Sequence, residues 1–291
     1  MPNVADVTCV IPTHDRDVSL KRAVESVLGQ TQQPKRIVVV DDLGADSTRA
    51  LVESYAAVVY IDGSQIDEKS AGSSRNLGAR NLSTKWIAFL DDDDEWAPTF
   101  LEELFKAAER RPAISLLVSW SDLSYENGRL VPASRMAEGH TQRDVVAKNP
   151  GFTGSNFLIR ASTFRELGGF DGSLWVANDL DFITRYLGSK NVYGVVQESL
   201  VLIGVGDGQE HLTSRSRRHA EGIKRYLSKH RGKANFIQRR PLLRRYHLAS
   251  RYPGQSRTRA MGHFALQLFY SSPKDILVVI ERRLRGDSEV Y

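Results

Sequence analysis

The segment WIAFLDDDD, residues 86–94, runs from a short apolar stretch directly into four consecutive carboxylates, and it decides the fold class. Two earlier segments have the same form: residues 7–16 are VTCVIPTHDR, and residues 36–42 are RIVVVDD. Nearly continuous apolar runs of this length are typical of strands in a parallel sheet covered on both faces. Stretches of helical periodicity separate them. The sequence therefore predicts βαβ units and an α/β fold, a Rossmann-like, mostly parallel sheet flanked by helices.

The chain beyond residue 121 is less regular. The dipeptide Asn127-Gly128 predicts a hairpin, and residues 133–153 are polar with little periodicity, so we expect a mobile flap there. No low-complexity linker precedes the C-terminal part, which we expect to pack on the rest of the chain as helices. One of these helices has an apolar stripe at Met261, Phe264, Ala265 and Leu268. The predicted C-terminal helices cover residues 216–231, 242–251, 257–270 and 273–285.

The overall composition, 41% hydrophobic and 26% charged, is typical of a folded globular protein and excludes wholesale disorder. No apolar run approaches the roughly 18 residues that a membrane-spanning helix needs. Cys9 is the single cysteine, which excludes intrachain disulfides and thiolate metal clusters. The N-terminal residues lack a basic start followed by a long apolar core, so we expect no secretion signal and a cytoplasmic protein.

Charge divides the chain into two parts. Residues 1–214 contain 21 Lys+Arg and 30 Asp+Glu, whereas residues 215–291 contain 19 and 5. We therefore expect an acidic α/β domain at 1–214 and a basic helical extension at 215–291 that packs on it. The asymmetry indicates an anionic partner for the extension, such as a membrane surface, a nucleic acid or a polyanionic substrate. The alternative is a solvated helical face, or a surface that docks on the acidic part of the same chain or of another chain in an oligomer.

Three predicted strand ends are polar, and ligands of open α/β sheets bind beyond the carboxyl ends of the strands. The first strand leads into residues 12–16, the second into Asp41 and Asp42, and a later one into residues 91–94. Four adjacent carboxylates repel one another unless a cation relieves them. Hard oxygen ligands of this kind suit Mg²⁺ or Mn²⁺, which commonly share substrate phosphates. The sequence thus favours a divalent metal site at this edge; the alternative is a solvated acidic turn before the helix that begins near Pro98.

Glycine-rich phosphate loops are missing, since neither GxxxxGK[ST] nor GxGxxG occurs in the sequence. Walker-type nucleotide hydrolases and dinucleotide-dependent oxidoreductases are therefore disfavoured. A sugar nucleotidyltransferase stays open as an alternative, although such an enzyme would need a glycine-rich basic loop where this chain has PTHDRDVSL. A catalytically inactive module that binds an anionic surface is the second alternative.

Six motifs follow one another along the chain: VIPTHDR (10–16), VVVDD (38–42), AGSSRNLGARN (71–81), FLDDDDEW (89–96), GGFD (168–171) and NDLDFITR (178–185). In this order and spacing they resemble the family 2 glycosyltransferases over residues 5–213. The resemblance implies the GT-A fold and the inverting transfer of a sugar from a nucleoside diphosphate sugar to an acceptor hydroxyl. It also implies Mn²⁺ or Mg²⁺ as cofactor and uridine as the usual nucleotide, in polysaccharide, glycolipid or glycoconjugate synthesis.

The resemblance assigns the nucleotide-sugar site to the strand ends. Asp42, or its neighbour Asp41, matches the carboxylate that contacts the base. Asp93 matches the direct metal ligand and Asp91 lies nearer the ribose, although four aspartates permit a shift by one residue. His211 matches a late histidine that supports the metal or the diphosphate in some members. The full set implied for nucleotide-sugar binding is Pro12, Thr13, Arg16, Asp41, Asp42, Gly72, Arg75, Asn76, Asp91 and Asp92.

The resemblance places the catalytic base at Asp179, which would take a proton from the acceptor hydroxyl. Asn178 stands where a glutamate is common, so the acidic pair is incomplete, and Asp181 is a rival candidate on the acceptor side. Two helical residues at this spacing cannot face the same way, so we expect only one of the two carboxylates to reach the acceptor.

Acceptor recognition is expected in the less regular half of the chain. Trp175 precedes the proposed base and is the first candidate for stacking on a sugar ring. Trp120 and Phe152 are weaker candidates, and core packing is favoured for Trp120. Residues 134–153 are expected to close over the donor and exclude water.

The expected partners are a nucleoside diphosphate sugar and a saccharide or lipid-linked acceptor. The basic extension lacks regular aromatic residues between its charges, so nucleic-acid binding is weakly supported. Peripheral contact of residues 215–291 with the inner face of a membrane fits a cytoplasmic enzyme that acts on a lipid-linked acceptor.

Overall fold

The computed structural model describes residues 4–189, 191–205, 216–252 and 254–272. The strands in these residues are β1 (Val4–Thr13), β2 (Gln33–Asp41), β3 (Val58–Asp62), β4 (Trp86–Phe89), β5 (Glu95–Trp96), β6 (Leu116–Tyr125), β7 (Leu130–Pro132), β8 (Phe157–Arg160) and β9 (Tyr193–Val205). The helices are α1 (Asp17–Leu28), α2 (Asp46–Glu53), α3 (Ala71–Gly78), α4 (Phe100–Arg110), α5 (Gln142–Val145), α6 (Ala161–Glu166), α7 (Asn178–Gly188), α8 (Arg217–Lys229), α9 (Phe236–Ala249) and α10 (Arg257–Tyr270).

One sheet runs through the α/β part in the order β3-β2-β1-β4-β8-β6-β9-β5, and β7 pairs with β6. The strands β3, β2, β1 and β4 are parallel neighbours, joined by helices as the sequence predicts. Strand β8 lies antiparallel between β4 and β6, and β6 is parallel to β9. The predicted α/β class, a Rossmann-like sheet flanked by helices, is confirmed.

The predicted hairpin at Asn127-Gly128 is confirmed by the antiparallel pairing of β6 with β7. Asn127 accepts a hydrogen bond from the backbone N–H of Arg129, and Gly128 has φ +79°, a value that glycine adopts without strain. Strand β6 continues beyond its apolar start as far as Tyr125, because the polar residues there also pair with β9.

The core lies on both faces of the sheet. On one face, helix α1 buries Leu20, Ala23, Val24 and Val27 and partly buries Leu28, the residues that recur at helical spacing in this segment. On the other face, Phe89 of β4 lies among aromatic rings because successive strand residues point to opposite sides. This aromatic cluster consists of Phe89, Phe152, Phe157, Phe164, Phe170 and Phe182. The carboxyl ends of the central strands therefore lie between two packed layers, which hold them in place.

The chain divides into two compact units. The first comprises residues up to 142 together with 149–173 and 178–208, and it contains the sheet. The second comprises residues 143–148, 174–177 and the chain from 209 onward, with helices α8 to α10. The sequence-based domain boundary at residue 214 stays a prediction, as does the packing of the basic extension on the α/β part.

Helices of the second unit begin at recognisable caps. Ser216 accepts from the backbone N–H of His219 at the start of α8. Asn235 and Gln238 form a reciprocal capping box, so α9 begins six residues before the predicted start. Within the part of the chain that the structure describes, no helix combines the length and apolar character needed to cross a bilayer.

Candidate active site

The carboxyl ends of β1 and β4 lie side by side, because these strands are parallel neighbours. Thr13 donates a hydrogen bond to Oδ2 of Asp92 at 2.7 Å. Nη1 of Arg16 lies 3.2 Å from Oδ1 of Asp92 and 2.7 Å from Oδ2 of Asp93. Pro12 is buried near the end of β1, opposite Val40 of β2. The structure thus brings together five residues that the motifs place at this edge: Pro12, Thr13, Arg16, Asp92 and Asp93.

Asp41 and Asp42 have different surroundings at the end of β2. Asp41 is fully buried, and its carboxylate accepts from the backbone N–H groups of Leu43 and Ala45 and from the hydroxyl of Tyr60. These bonds fix the turn into α2. Burial of the phenol and, to a smaller extent, its contact with Asp41 raise the pKa of Tyr60 to about 12.

Asp42 lies closer to the open edge. Its Oδ1 is 2.5 Å from Nδ1 of His14, whose side chain is largely exposed. The amine of Lys69 donates to the backbone carbonyl of Asp42 at 2.9 Å. Asp42 is therefore oriented toward the PTHDR loop, whereas Asp41 holds the backbone.

Arg75 of α3 lies at the centre of the site. Its side chain is 3% exposed, forms an ion pair with Asp91 and lies over the ring of Phe170, with its guanidinium carbon 5.1 Å from the ring centroid. Its Nε and Nη1 have no hydrogen-bond partner among the described residues. A side chain at position 154 would overlap this guanidinium, so the close approach of Arg75 to the backbone requires glycine there. Buried N–H groups of a charged side chain are costly without an acceptor, and an anionic ligand supplies one.

Gly72 and Asn76 flank Arg75 on the same helix. The side chain of Asn76 accepts from the backbone N–H of Phe170 at 2.9 Å and donates to its carbonyl at 2.7 Å. A Cβ at Gly72 would lie 3.2 Å from the Cβ of Phe170. These contacts attach α3 to the GGFD turn and so fix the position of Arg75 relative to α7.

Asp179 lies in the first turn of α7. Burial raises the pKa of its carboxyl, the guanidinium of Arg75 opposes that rise, and the negative charge of Asp91 adds to it. The charges of Arg75 and Asp91 therefore both act on the carboxyl of Asp179. A carboxylate with a raised pKa is a better proton acceptor, as a general base requires.

Asp181 has a different environment. It is fully buried and accepts from Nε of Arg185 at 2.8 Å. The other nitrogens of Arg185 donate to the backbone carbonyls of Leu167 and Gly169, each at 2.7 Å. The two carboxylates of α7 therefore face different surroundings, as their spacing predicts.

The four consecutive aspartates do not form a self-repelling row, and that part of the sequence interpretation is corrected. Asp91 is paired with Arg75, and Asp92 and Asp93 with Arg16. Asp94 accepts from the hydroxyl of Ser155 at 2.5 Å and from the backbone N–H of Gly204 at 3.1 Å. The reason is that successive residues after β4 turn in different directions, and each reaches a partner from a distant part of the chain.

Residual repulsion remains within the cluster. Burial and the neighbouring Asp93 raise the pKa of Asp92 to about 6, against the opposing effects of Arg16 and Thr13. Burial followed by the charge of Asp91 raises the pKa of Asp93. Asp91 and Asp93 keep 31% and 36% of their side chains exposed. These two are the members of the cluster that a ligand can reach most readily.

The residues present fit a divalent cation that is shared with a substrate. No group of three or more His, Cys, Asp or Glu side chains in the described residues forms a site made of protein ligands alone. Mg²⁺ and Mn²⁺ are commonly held by one or two carboxylates together with substrate phosphates, which matches the exposed oxygens of Asp91 and Asp93. The predicted ligand His211 lies outside the described residues.

The aromatic candidates for the acceptor fare differently. Phe152 is fully buried and stacks on Phe157 at 4.7 Å between ring centroids, so its predicted contact with a sugar is wrong. Trp120 donates from Nε1 to the carbonyl of Met136 and lies beside Arg135. In the second unit, the guanidinium carbons of Arg218 and Arg225 lie 5.2 and 4.3 Å from the ring centroid of Trp175, a cation–π arrangement.

The segment 134–153, expected to be a mobile flap, has firm anchors. Met136 and Phe152 are fully buried. The hydroxyl of Tyr193 donates to the carbonyl of Ala137 and accepts from the backbone N–H of His140. A polar sequence with little periodicity hid these contacts, because each is made by a single residue with a partner far along the chain.

Three contributors to the site escaped the sequence analysis. His14 stands within the quoted PTHDR segment but was given no role, although it lies against Asp42. Ser155 links Asp94 to the backbone N–H of Asp91, and its own carbonyl accepts from Trp96 Nε1. Gly154 makes room for Arg75. Only the position of His14, directly after a strand end, carried a usable signal.

Residues 8–168, more than half of the chain, match the model of Glycosyl transferase family 2. An uncharacterized glycosyltransferase of Haemophilus influenzae is 27% identical over 185 residues, 62% of this chain and 62% of that protein. The succinoglycan biosynthesis protein ExoO of Rhizobium meliloti is 31% identical over 162 residues, 54% of this chain and 44% of that protein. The chain thus spans less than two thirds of the length of either relative.

Solved structures with the same fold include S. aureus TarS 1-349. Its complex with UDP-GlcNAc has a TM-score of 0.58 and 16% identity, with 91% of this chain and 88% of that chain covered. Its complex with UDP has a TM-score of 0.56 and 18% identity, with coverage of 97% and 92%. This likeness supports the GT-A type of fold. Because the family model matches over more than half of its length, the chain belongs to glycosyltransferase family 2.

Proposed function

We propose that this enzyme transfers a sugar, with inversion at the anomeric carbon, from a uridine diphosphate sugar to a hydroxyl of a saccharide or lipid-linked acceptor. The observation that carries the proposal is Arg75, a buried cation that is paired with Asp91, whose charge acts on Asp179, and that has two nitrogens without a hydrogen-bond partner among the described residues. This arrangement suits a ligand with negative charge on one side and a reacting carbon on the other.

The nucleoside would lie at the ends of β1 and β2. We assign Asp42 to the contact with the nucleobase, because the carboxylate of Asp41 already accepts hydrogen bonds from Leu43, Ala45 and Tyr60. The contact of His14 with Asp42 orients that carboxylate. Thr13 and Pro12 line the same edge, and uridine is supported by the UDP complexes of the TarS fold relative.

The diphosphate would lie between Arg75 and the exposed oxygens of Asp91 and Asp93. Arg75 supplies Nε–H and Nη1–H as donors. Asp93, with Asp91, would hold the divalent cation, which when bound neutralises charge on the leaving diphosphate. Arg16 pairs with Asp93 and fixes the carboxylate in place.

Asp179 would act as the general base. It accepts the proton of the acceptor hydroxyl as that oxygen forms a bond to the anomeric carbon. The bond from that carbon to the diphosphate oxygen breaks on the opposite side, and its electron pair leaves with the nucleoside diphosphate. Attack opposite the leaving group inverts the anomeric configuration. Asp181 is not proposed in this role, because its side chain is fully buried and its carboxylate is paired with Arg185.

The acceptor is proposed as a growing saccharide or lipid-linked glycan. The support is the name of the relative ExoO, a succinoglycan biosynthesis protein. Trp175 stays a predicted acceptor contact; in the second unit, Arg218 and Arg225 lie over its ring.

A donor-hydrolysis screen tests the proposal. Release of nucleoside diphosphate is measured for UDP-, dTDP- and GDP-sugars with Mn²⁺, and we expect turnover with a UDP-sugar. Asp93→Asn should lose metal-dependent release, whereas the exposed control Glu198→Gln should not. No hydrolysis or binding of any nucleotide sugar would reject the proposed function.

A further inference from the structure

Helix α10 has its apolar and polar faces reversed relative to an ordinary packed helix. Its apolar side chains are exposed: Met261 by 71% and Phe269 by 63%, with Phe264, Leu266 and Leu268 less so. Gln267 on the opposite side is buried. The apolar stripe that the sequence analysis expected to pack on the rest of the chain therefore faces outward. Contiguous exposed apolar surface of this kind marks an interaction site.

The buried side of α10 packs on α9 through polar groups. Nδ1 of His263 lies 2.9 Å from Nδ1 of His247, and Arg251 donates to Oε1 of Gln267 at 2.7 Å. Tyr270 stacks in parallel on His247 at 5.5 Å between ring centroids. These contacts fix which side of α10 faces α9, so the outward orientation of the apolar side chains is built into the pair.

Helix α9 adds to the exposed surface at its first turn. Phe236 and Ile237 are 57% and 73% exposed, and the ring of Phe236 lies 6.1 Å from that of Tyr270. We call the exposed side chains of these two helices the outer apolar face. It consists of Phe236, Ile237, Met261, Phe264, Leu266, Leu268 and Phe269.

The charge around the outer apolar face has one sign. Residues 222–274 contain 13 Lys+Arg and no Asp or Glu. Arg245, Arg257 and Arg259 are exposed on α9 and α10. A solvent-exposed protein surface with only positive charges attracts anions. An apolar face surrounded by arginines is typical of helices that lie in the headgroup region of a bilayer.

We propose that the outer apolar face of α9 and α10 docks on an anionic phospholipid surface, with Met261, Phe269 and Ile237 inserted at the headgroup level. The positive charge complements anionic headgroups and the apolar side chains supply the area to be buried. A second copy of the chain is disfavoured as the occupant, because it would bring an equally acid-free, arginine-rich surface against this one. The proposal does not depend on the chemistry of the sheet edge.

Sedimentation with vesicles tests the docking. The full chain is mixed with vesicles of equal parts phosphatidylglycerol and phosphatidylcholine, and with vesicles of phosphatidylcholine alone. We expect binding to the anionic vesicles that weakens as salt is added. The triple variant Ile237→Ser, Met261→Ser, Phe269→Ser should lower the partition coefficient by at least about tenfold. Arg245→Gln with Arg257→Gln and Arg259→Gln should lower it to a similar extent and remove most of the salt dependence.

A matched variant controls for the loss of exposed apolar side chains in general. Val4→Ser, Leu130→Ser and Val192→Ser replace three side chains of comparable exposure in the first unit, and vesicle binding should stay unchanged. Thermal unfolding and light scattering without lipid are recorded for every variant.

Four outcomes would overturn the proposal. The first is absence of binding to anionic vesicles, and the second is equal binding by the wild type and the apolar triple variant. The third is a dimer in the wild type that the apolar triple variant dissociates, which would assign the face to a second copy. The fourth is a lower unfolding temperature of that variant without lipid, which would show that the face is covered within the chain.

Discussion

The sheet edge of the first unit and the α9–α10 pair of the second depart from ordinary burial in two ways: the first buries charged side chains, and the second exposes apolar ones. At the sheet edge, Arg75 and Asp92 are buried; Arg75 is paired with Asp91, and Asp92 with Arg16. On α10, apolar groups such as Met261 are exposed, and Gln267 is buried. Ordinary proteins do the reverse in both places.

In both places, the described residues leave a side-chain group without the contact that would stabilise it. The buried guanidinium of Arg75 has donors without an acceptor among the described residues, and the outer apolar face has area without a cover. We propose that an anionic ligand completes the hydrogen bonds of Arg75 and that an apolar phase covers the outer apolar face. Sites of function are where local rules of burial are expected to fail.

The largest effect is expected at the base. Asp179→Asn should lower kcat for transfer about a thousandfold, because the amide cannot accept the proton of the acceptor hydroxyl. Binding of UDP-sugar, followed by calorimetry, should stay within about twofold of the wild type. Normal transfer by this variant would remove Asp179 from the mechanism.

Asp181 provides the contrast on the same helix. Asp181→Asn leaves Arg185 without its buried partner and should cost about 3 kcal/mol of unfolding free energy. Denaturant unfolding measures this loss. Under conditions where the variant is folded, kcat should be close to that of the wild type; a large loss of kcat without loss of stability would reverse the roles of the two carboxylates.

The pH profile sharpens the assignment of the base. Burial raises the pKa of Asp179, and the base works only when ionised, so transfer should fall as the pH falls through that raised pKa. Below it, kcat/KM should decline about tenfold per pH unit. The acidic limb should lie above the pKa of an exposed aspartate, about 4. A limb at that ordinary value would contradict the assignment of the half-buried Asp179 as the base.

The smallest effect is expected in the second unit. Asn235→Ala removes the side chain that caps α9 and should cost about 1 kcal/mol of stability. Thermal unfolding of the variant measures this, and donor hydrolysis should be unaffected. A loss of donor hydrolysis in the folded variant would contradict this expectation.

Much of the fold and the location of the site could be predicted from the sequence. The runs that end at Asp41 and at Asp91 predicted parallel strands and a polar edge, because apolar periodicity and strand-end position are local properties. The spacing of Leu20, Val24 and Val27 predicted the buried side of α1 in the same way.

The arrangement inside the site could not be predicted, because it depends on partners distant in sequence. Ser155 meets Asp94 across 61 residues and Arg16 meets Asp93 across 77. Four adjacent aspartates therefore look like one charged row in the sequence but are held by three different side chains, Arg75, Arg16 and Ser155. The stripe at Met261 was found by periodicity, yet periodicity does not say whether an apolar side faces a core or the outside.

Calorimetric titration of UDP into the protein with Mn²⁺ tests the central claim, that the buried Arg75 at the sheet edge binds the donor diphosphate. Arg75→Lys keeps the charge but removes Nε–H and Nη1–H, and Arg160→Lys is the control, since Arg160 also lies over a ring, that of Trp86, and donates to a backbone carbonyl. We predict a dissociation constant raised at least about tenfold by Arg75→Lys and unchanged by the control. Equal affinity in wild type and Arg75→Lys, with the variant folded, would contradict the account.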